Sequence, residues 1–434
     1  MKGSNVANKV SELQVNARRS YKEITECRAC KSSDIDDLFS LGDQWLTDFP
    51  SPEMAQDGII MPLTLVLCKN CEFVQLRHTV DQNSIYGRPV YWYKSGINNT
   101  MRLALQDVVM KAQEVVKLKE GDKIIDIGSN DGTLASFYPD FVKKIGFEPS
   151  ANVYMQSGGV KWYRSYNDYL TYKGDTAKII TSCAMFYDLD DPSQFLQDIR
   201  ASLDVDGIWI DQQNYLTTML ENLTFDNISH EHLGYYSFKA FESLLNKHEL
   251  EIIDVEINGV NGGSFRSYIR RKPSTIQPLP GAEERIAAVR AREAAMELNT
   301  RKPYDLFYNH ATNIRSKLNL FVTGEKARGK SIWVYGASTR GQVILQYCGL
   351  DKTLIDGCAE RNPDKYGKVT IGTGIPITDE ETARKAKPDY FLVLPYSFKE
   401  EFLVREAAFL ESGGTFIFPL PEVEIVSSNR RLTL

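Results

Sequence analysis

Ile124-Ile125-Asp126-Ile127-Gly128-Ser129-Asn130-Asp131-Gly132 is the stretch on which the reading of this 434-residue chain turns. Its apolar start and glycine-rich end predict a buried strand running into a tight turn, with a helix beyond. Glycine in such a turn lets the backbone approach a ligand closely. Asn130 stands where a further glycine is expected, and asparagine tolerates left-handed geometry better than most residues. Asp126, at the strand end, is the residue type that hydrogen-bonds a charged amino-acid moiety. Further on, Gly146-Phe147-Glu148-Pro149 closes the next strand with a carboxylate, the position that grips ribose hydroxyls in nucleoside-binding α/β folds. Loop and acid together point to S-adenosylmethionine, with Asp126, Gly128, Ser129, Asn130, Gly132 and Glu148 as its candidate contacts. A nicotinamide cofactor and a purely structural turn are the competing readings.

Outward from this stretch, Lys144–Phe147, Ala177–Thr181 and Gly207–Asp211 read as further short apolar strands separated by helix-length segments, which predicts a parallel sheet covered by helices. Tyr91–Leu118 reads as helical. Pro280–Arg328 is charged and alanine-rich with apolar residues at helical spacing, and predicts one or two connecting helices. Beyond it, Ser331–Tyr335, Thr353–Cys358 and Tyr390–Leu394 are strand-like again and predict a second, smaller α/β unit. The expected divisions are a flexible lead-in over 1–22, a metal-held module over 23–90, the central unit over 91–278, a helical connector over 279–328 and the C-terminal unit over 329–434.

Cys27-x-x-Cys30 and Cys68-x-x-Cys71 supply the metal module. Four thiolates satisfy tetrahedral zinc with no open position, so the predicted site is structural. A redox C-x-x-C would open a helix in a thioredoxin-like unit, which these turn-rich surroundings do not resemble. Seven cysteines in a chain of this length argue against a disulfide scaffold. Net charge is −6 and no long basic run occurs, which weighs against nucleic acid as a partner. Apolar stretches are short and the first twenty residues, MKGSNVANKVSELQVNARRS, lack the apolar middle of a secretory signal, so the expectation is a cytoplasmic protein without a membrane partner.

Two of the five histidines, His230 and His232, flank Glu231 in Ser229-His230-Glu231-His232-Leu233-Gly234-Tyr235-Tyr236-Ser237. Following the strand around Ile208–Asp211, this segment is expected at the carboxyl edge of the sheet, where ligands of open α/β sheets bind. A histidine there can serve as a base at neutral pH, with Glu231 orienting or polarising an imidazole. Helix capping and a metal held by the two histidines are the alternatives.

Taken in order, the cysteine pairs, Ile127-Gly128-Ser129-Asn130-Asp131-Gly132-Thr133, His230-Glu231-His232, Gly262-Gly263-Ser264-Phe265-Arg266, Gly336-Ala337-Ser338-Thr339-Arg340-Gly341 and Arg361-Asn362-Pro363 resemble the nucleotide-sugar C-methyltransferases of deoxysugar biosynthesis. The resemblance implies a class I methyltransferase sheet between a small zinc-binding domain and a second Rossmann-like domain, with a nucleotide sugar held between the last two. It also implies methylation at C3 of a keto-deoxysugar, made possible because the neighbouring ketone acidifies that C–H. By position, His232 matches the family's base and Glu231 an adjacent carboxylate; Tyr91 or Tyr93 falls near an active-site tyrosine. Ser229 stands where those enzymes usually carry tyrosine and Asn261 where histidine is common, and the loop Ala184–Leu189 lacks their histidine. These departures lie on the acceptor side, so O- or N-methylation, and a non-catalytic zinc-bearing binding protein, stay open. Tyr235 and Arg266 are further candidate acceptor contacts. Oligomeric state is expected to be monomer or homodimer.

The second glycine turn, at Gly336, has Ser338 in place of the middle glycine of dinucleotide enzymes, which argues against NAD. A phosphate resting on the helix start beside Ser338 and Arg340, with Tyr396 lining the same crevice, is the functional reading of this turn, and a structural remnant is the other.

Overall fold

The computed structural model describes residues 21–153, 160–163 and 176–434. The expected lead-in over 1–22 lies outside these residues except for its last two, and Lys22–Glu23 pairs antiparallel with His78–Thr79.

The strand Lys123–Ile127 is buried on both faces, as its near-continuous apolar run requires of a central parallel strand. It lies inside a seven-stranded sheet in the order Leu250–Asn258, Ser264–Arg271, Leu203–Asn214, Ala177–Cys183, Lys123–Ile127, Lys143–Phe147, Val160–Tyr163. Five strands run parallel, and Ser264–Arg271 enters antiparallel between Leu203–Asn214 and Leu250–Asn258. Counted along the chain the order is 3-2-1-4-5-7-6 with the last strand reversed, the class I methyltransferase arrangement implied by the resemblance. Strand order turns back between Lys123–Ile127 and Ala177–Cys183, which opens a crevice at their carboxyl ends.

The C-terminal sheet repeats the device. Its order is Ile377–Asp379, Gly357–Glu360, Ile332–Tyr335, Tyr390–Val393, Thr415–Phe418, Glu424–Ser427, Arg430–Thr433, with the first five parallel. The expected strand at Thr353–Cys358 starts later, at Gly357, because Asp351 holds Thr353 in a side-chain turn. The connector forms two helices, Ala282–Met296 and Lys302–Ala327. They part where Glu297 turns left-handed, and Pro303 then starts the second.

The expected helix at Tyr91–Leu118 begins only at Asn99, where the Asn98 side chain caps it by accepting from Thr100 N–H. Residues 91–97 instead lie across the first glycine turn: Asn130 accepts from Ser95 N–H at 3.0 Å and donates to Tyr93 carbonyl at 3.0 Å.

Ile35–Trp45, Ile60–Cys68 and Val74–Leu76 make an antiparallel sheet whose fourth strand is Gly234–Tyr235, from the central unit. The N-terminal module therefore keeps a small cluster of its own, Leu46, Met61, Val80 and Ile85, and shares the rest of its core with the other units. Leu38, Leu63 and Leu65 share one apolar cluster with Phe307, Ile332 and Leu392, while Cys27, Cys68 and Phe73 pack with Phe186 and Trp209.

Candidate active site

At the end of Lys123–Ile127 the backbone must turn sharply, and Gly128 does so at φ +69°, where a Cβ would lie 3.0 Å from Met185 Cγ. The turn is anchored because Gly128 and Ser129 N–H both donate to Phe147 carbonyl. Glu148 accepts from Asn130 N–H at 3.0 Å and from Ser150 N–H at 2.8 Å. Asp126 is 2% exposed and its carboxylate accepts from Thr181 Oγ1 at 2.7 Å. Burial pushes its pKa up to about 7. A carboxylate held in a cavity wall at such a cost fits a cationic ligand, whose charge would favour the ionised form.

These groups line one cavity of about 950 Å³ that runs from the first glycine turn to the second. Its wall also carries Tyr91, Tyr93, Glu231, His232, Asn261, Ser338, Arg340 and Tyr396. His232 Nδ1 lies 2.7 Å from Asn227 carbonyl, which can only accept, so Nδ1 carries the proton and Nε2 the lone pair. Tyr187 stands edge-on to the imidazole, with ring centroids 4.4 Å apart. Burial, with the Arg340 charge adding, pushes the His232 pKa down to about 3, so the ring is neutral. Among the described residues no hydrogen bond joins Glu231 to either histidine; the ring is oriented by Asn227 and Tyr187, not by Glu231. Burial pushes the Glu231 carboxyl up to about 7, with Arg88 opposing and Asp48 adding.

Several expected residues do not reach the cavity. His230 points away, its Nε2 2.9 Å from Met61 carbonyl, because the chain turns at this point, with His232 N–H donating to Ser229 carbonyl at 3.1 Å. Burial pushes its pKa down to about 4. Arg266 is 2% exposed and spends its charge on Asp107, at 2.8 Å, and Glu256, at 3.4 Å. Ser229 is buried beneath the cavity-lining segment, and Tyr235 OH reaches Asn227 carbonyl at 3.5 Å. Gly132 caps the short helix Thr133–Ser136 without lining the cavity.

The far wall carries the second turn. Gly336 is at φ +86°, and a Cβ there would lie 2.8 Å from Pro395 Cδ. Ser338 caps the helix Thr339–Tyr347 by accepting from Gly341 N–H at 3.0 Å. Arg340 reaches Asp226 at 2.7 Å and donates to Asn261 carbonyl at 2.6 Å, while Tyr396 OH donates to Asp226 at 2.7 Å.

Sequence reasoning missed several lining residues. Tyr187 and Asp188 lie in a loop read only as a departure from a family pattern. Asp188 accepts from Tyr86 OH at 2.9 Å, and burial, reinforced by Glu231, holds its carboxyl well above the usual range. Glu360 ends the strand after the second glycine turn and accepts from Ala337, Arg361 and Asn362 N–H at 2.9, 2.8 and 2.9 Å. Its place repeats that of Glu148, and that repeat was the available signal.

The four cysteine sulfurs lie within 4.8 Å of one another, with Cys27–Cys71 at 3.6 Å and Cys30–Cys68 at 3.5 Å. Sulfurs about 3.8 Å apart are what Zn–S bonds of about 2.3 Å at tetrahedral angles require. The set fits zinc.

Three family models match the chain in order: "Putative zinc binding domain" over 27–86, "Methyltransferase domain" over 97–255 and "C-methyltransferase C-terminal domain" over 259–421. The C-methyltransferase NovU of Streptomyces niveus is 28% identical over 421 residues, 95% of this chain and 99% of that protein. Solved structures similar to part of the chain include the YcgJ protein of Bacillus subtilis, at 12% identity over 39% of this chain and 99% of that one with a TM-score of 0.32. The plantazolicin methyltransferase BpumL in complex with SAH is also 12% identical, over 39% and 83% of the two chains, with a TM-score of 0.32. This chain is an S-adenosylmethionine-dependent methyltransferase with a zinc site in its cysteine cluster. More closely, it is similar along nearly its whole length to a C-methyltransferase, with a zinc-binding match and a C-terminal-domain match bracketing the methyltransferase match. No helix among the described residues is long and apolar enough to cross a membrane.

Proposed function

We propose that this enzyme methylates carbon C3 of a nucleotide-linked keto-deoxysugar, with His232 as the base. The observation that carries the reading is the single cavity joining the two glycine turns, with a neutral, oriented imidazole in its wall. In this reading Asp126, Gly128, Ser129, Asn130 and Glu148 hold the cofactor, and Tyr91, Tyr93, Asn261, Ser338, Arg340 and Tyr396 face the acceptor. The corresponding divisions are the zinc-binding module over 23–90, the methyltransferase over 91–278, the connector over 279–328 and the acceptor-binding unit over 329–434. The protein then works in the cytoplasm, as a monomer or homodimer, in deoxysugar biosynthesis.

When bound, S-adenosylmethionine supplies an electrophilic methyl group. Carbon is a poor nucleophile until the C–H beside the ketone is removed. His232 Nε2 takes that proton, and the electron pair of the C–H bond passes into the enolate; the cofactor would supply methyl to that carbon, its S–CH3 bond breaking with the electron pair left on sulfur as the neutral thioether departs. Asn227 carbonyl stabilises the imidazolium by accepting from Nδ1–H, as an orienting acceptor does for catalytic histidines elsewhere.

The test is incubation with methyl-labelled S-adenosylmethionine and a panel of nucleoside-diphosphate 4-keto-sugars in deuterated water. Transfer to carbon requires loss of the C3 hydrogen. Label on oxygen or nitrogen with that hydrogen retained refutes the reading in favour of heteroatom methylation.

A further inference from the structure

The segment carrying Glu231 and His232 is held by the zinc-bearing sheet. Gly234–Tyr235, starting two residues after His232, pairs with Gln75 and Val74, and Leu76 N–H donates to Leu233 carbonyl at 2.9 Å. Upstream, His230 is tied to Met61 of the same sheet. Gly234 must be small here, because a Cβ would lie 2.7 Å from Phe73 Cζ.

Arg28, inside the first cysteine knuckle, joins this arrangement to the other missed loop. Its backbone N–H donates to Gln75 Oε1 at 3.0 Å, and its guanidinium reaches Leu76 carbonyl at 2.6 Å and Asp190 at 2.9 Å. Asp190 closes the loop that presents Tyr187 and Asp188. Arg28 is 3% exposed and Gln75 fully buried. A buried guanidinium is a costly staple where an apolar residue would serve, so its retention needs a positional reason.

We propose that Arg28 and Gln75 are positioning residues that fix the loop bearing Tyr187 and Asp188, and the segment bearing Glu231 and His232, to the metal-held knuckle. The metal thereby sets the geometry of the acceptor side of the cavity. The proposal rests on the reading above only in calling that side the acceptor's.

Hydrogen exchange followed by mass spectrometry on the full chain tests it, with readouts independent of methyl transfer. Stripping the zinc with a chelator is expected to speed exchange in 184–190 and 229–236 by about tenfold or more, while 123–132 and 331–394 keep their protection. Arg28→Met is expected to do the same in both segments while cobalt at the cysteine site keeps its tetrathiolate absorption. Arg28→Lys, which can reach Asp190 but cannot span both partners, should restore protection at 184–190 alone. Asp190→Asn, at an exposed position, should loosen 184–190 alone and decides the matter if Arg28→Met fails to fold. Unchanged protection in both segments on metal removal overturns the proposal. A uniform rise that includes 331–394 also overturns it, since the metal is then a staple of the whole fold.

Discussion

The two glycine turns that face each other across the cavity share a backbone plan and differ in charge. Each follows a central parallel strand, each begins with a glycine at positive φ, and each is buttressed by a glutamate from the next strand that accepts N–H groups of the turn. The first turn follows a buried Asp126 and leads into the four-residue helix Thr133–Ser136. The second follows Tyr335, leads into the nine-residue helix Thr339–Tyr347, and has Arg340 and Lys365 beside it. In the proposed reading, one scaffold would serve a cation at one wall and an anion at the other, where Arg340 and Lys365 are already paired with Asp226 and Glu360. Fold alone does not assign a ligand; the side chains grafted on it do.

Changing His232, where the two ligands would meet, should have the largest effect. His232→Ala is expected to lower turnover about 10²- to 10⁴-fold while calorimetry finds cofactor affinity within about twofold of wild type. Turnover left intact would show that the walls bring the reactants together without this base.

Asp126→Asn tests the cationic wall. It should weaken S-adenosylmethionine by about 30-fold, the equivalent of about 2 kcal/mol for a charge-assisted bond, and leave acceptor binding unaffected. The wild-type pH dependence sharpens the point. Burial raises the Asp126 pKa to about 7, so below that pH the ligand-free carboxyl is protonated and must release its proton to meet the cation. Apparent affinity should fall by about tenfold per pH unit below 7 and level off above it, and this slope should vanish in Asp126→Asn. A flat wild-type profile would mean that Asp126 does not face the cofactor's charge.

The smallest expected effects are reciprocal. Glu148→Gln should weaken the cofactor, and Glu360→Gln the nucleotide-linked acceptor, each by about five- to tenfold and each without effect on the other ligand. Cross-effects of equal size would break the correspondence between the two walls.

Much of the site was legible because its signals are local. A strand, a glycine turn and an acid at the next strand end are set by short-range backbone requirements, so the turn at Gly128 and the places of Asp126 and Glu148 beside it could be named from spacing alone. The histidine segment shows the limit. Both His230 and His232 were candidate catalytic residues, with His232 as the base, yet the turn between them sends one ring to Met61 and the other to the cavity. Arg266 looked like an acceptor contact because it is a cation beside a glycine pair, but Asp107 and Glu256, from other elements, occupy it.

By itself the amino-acid order determined the alternation of strands and helices, the two turns and the metal ligands, because periodicity, glycine geometry and thiolate chemistry act over a few residues. Only the tertiary structure decided that Gly234–Tyr235 completes the zinc-bearing sheet, that Tyr187 and Asn227 orient His232, and that the two turns share one cavity. Those outcomes depend on packing between segments far apart in the chain, where burial and hydrogen-bond satisfaction choose among partners that local sequence cannot rank.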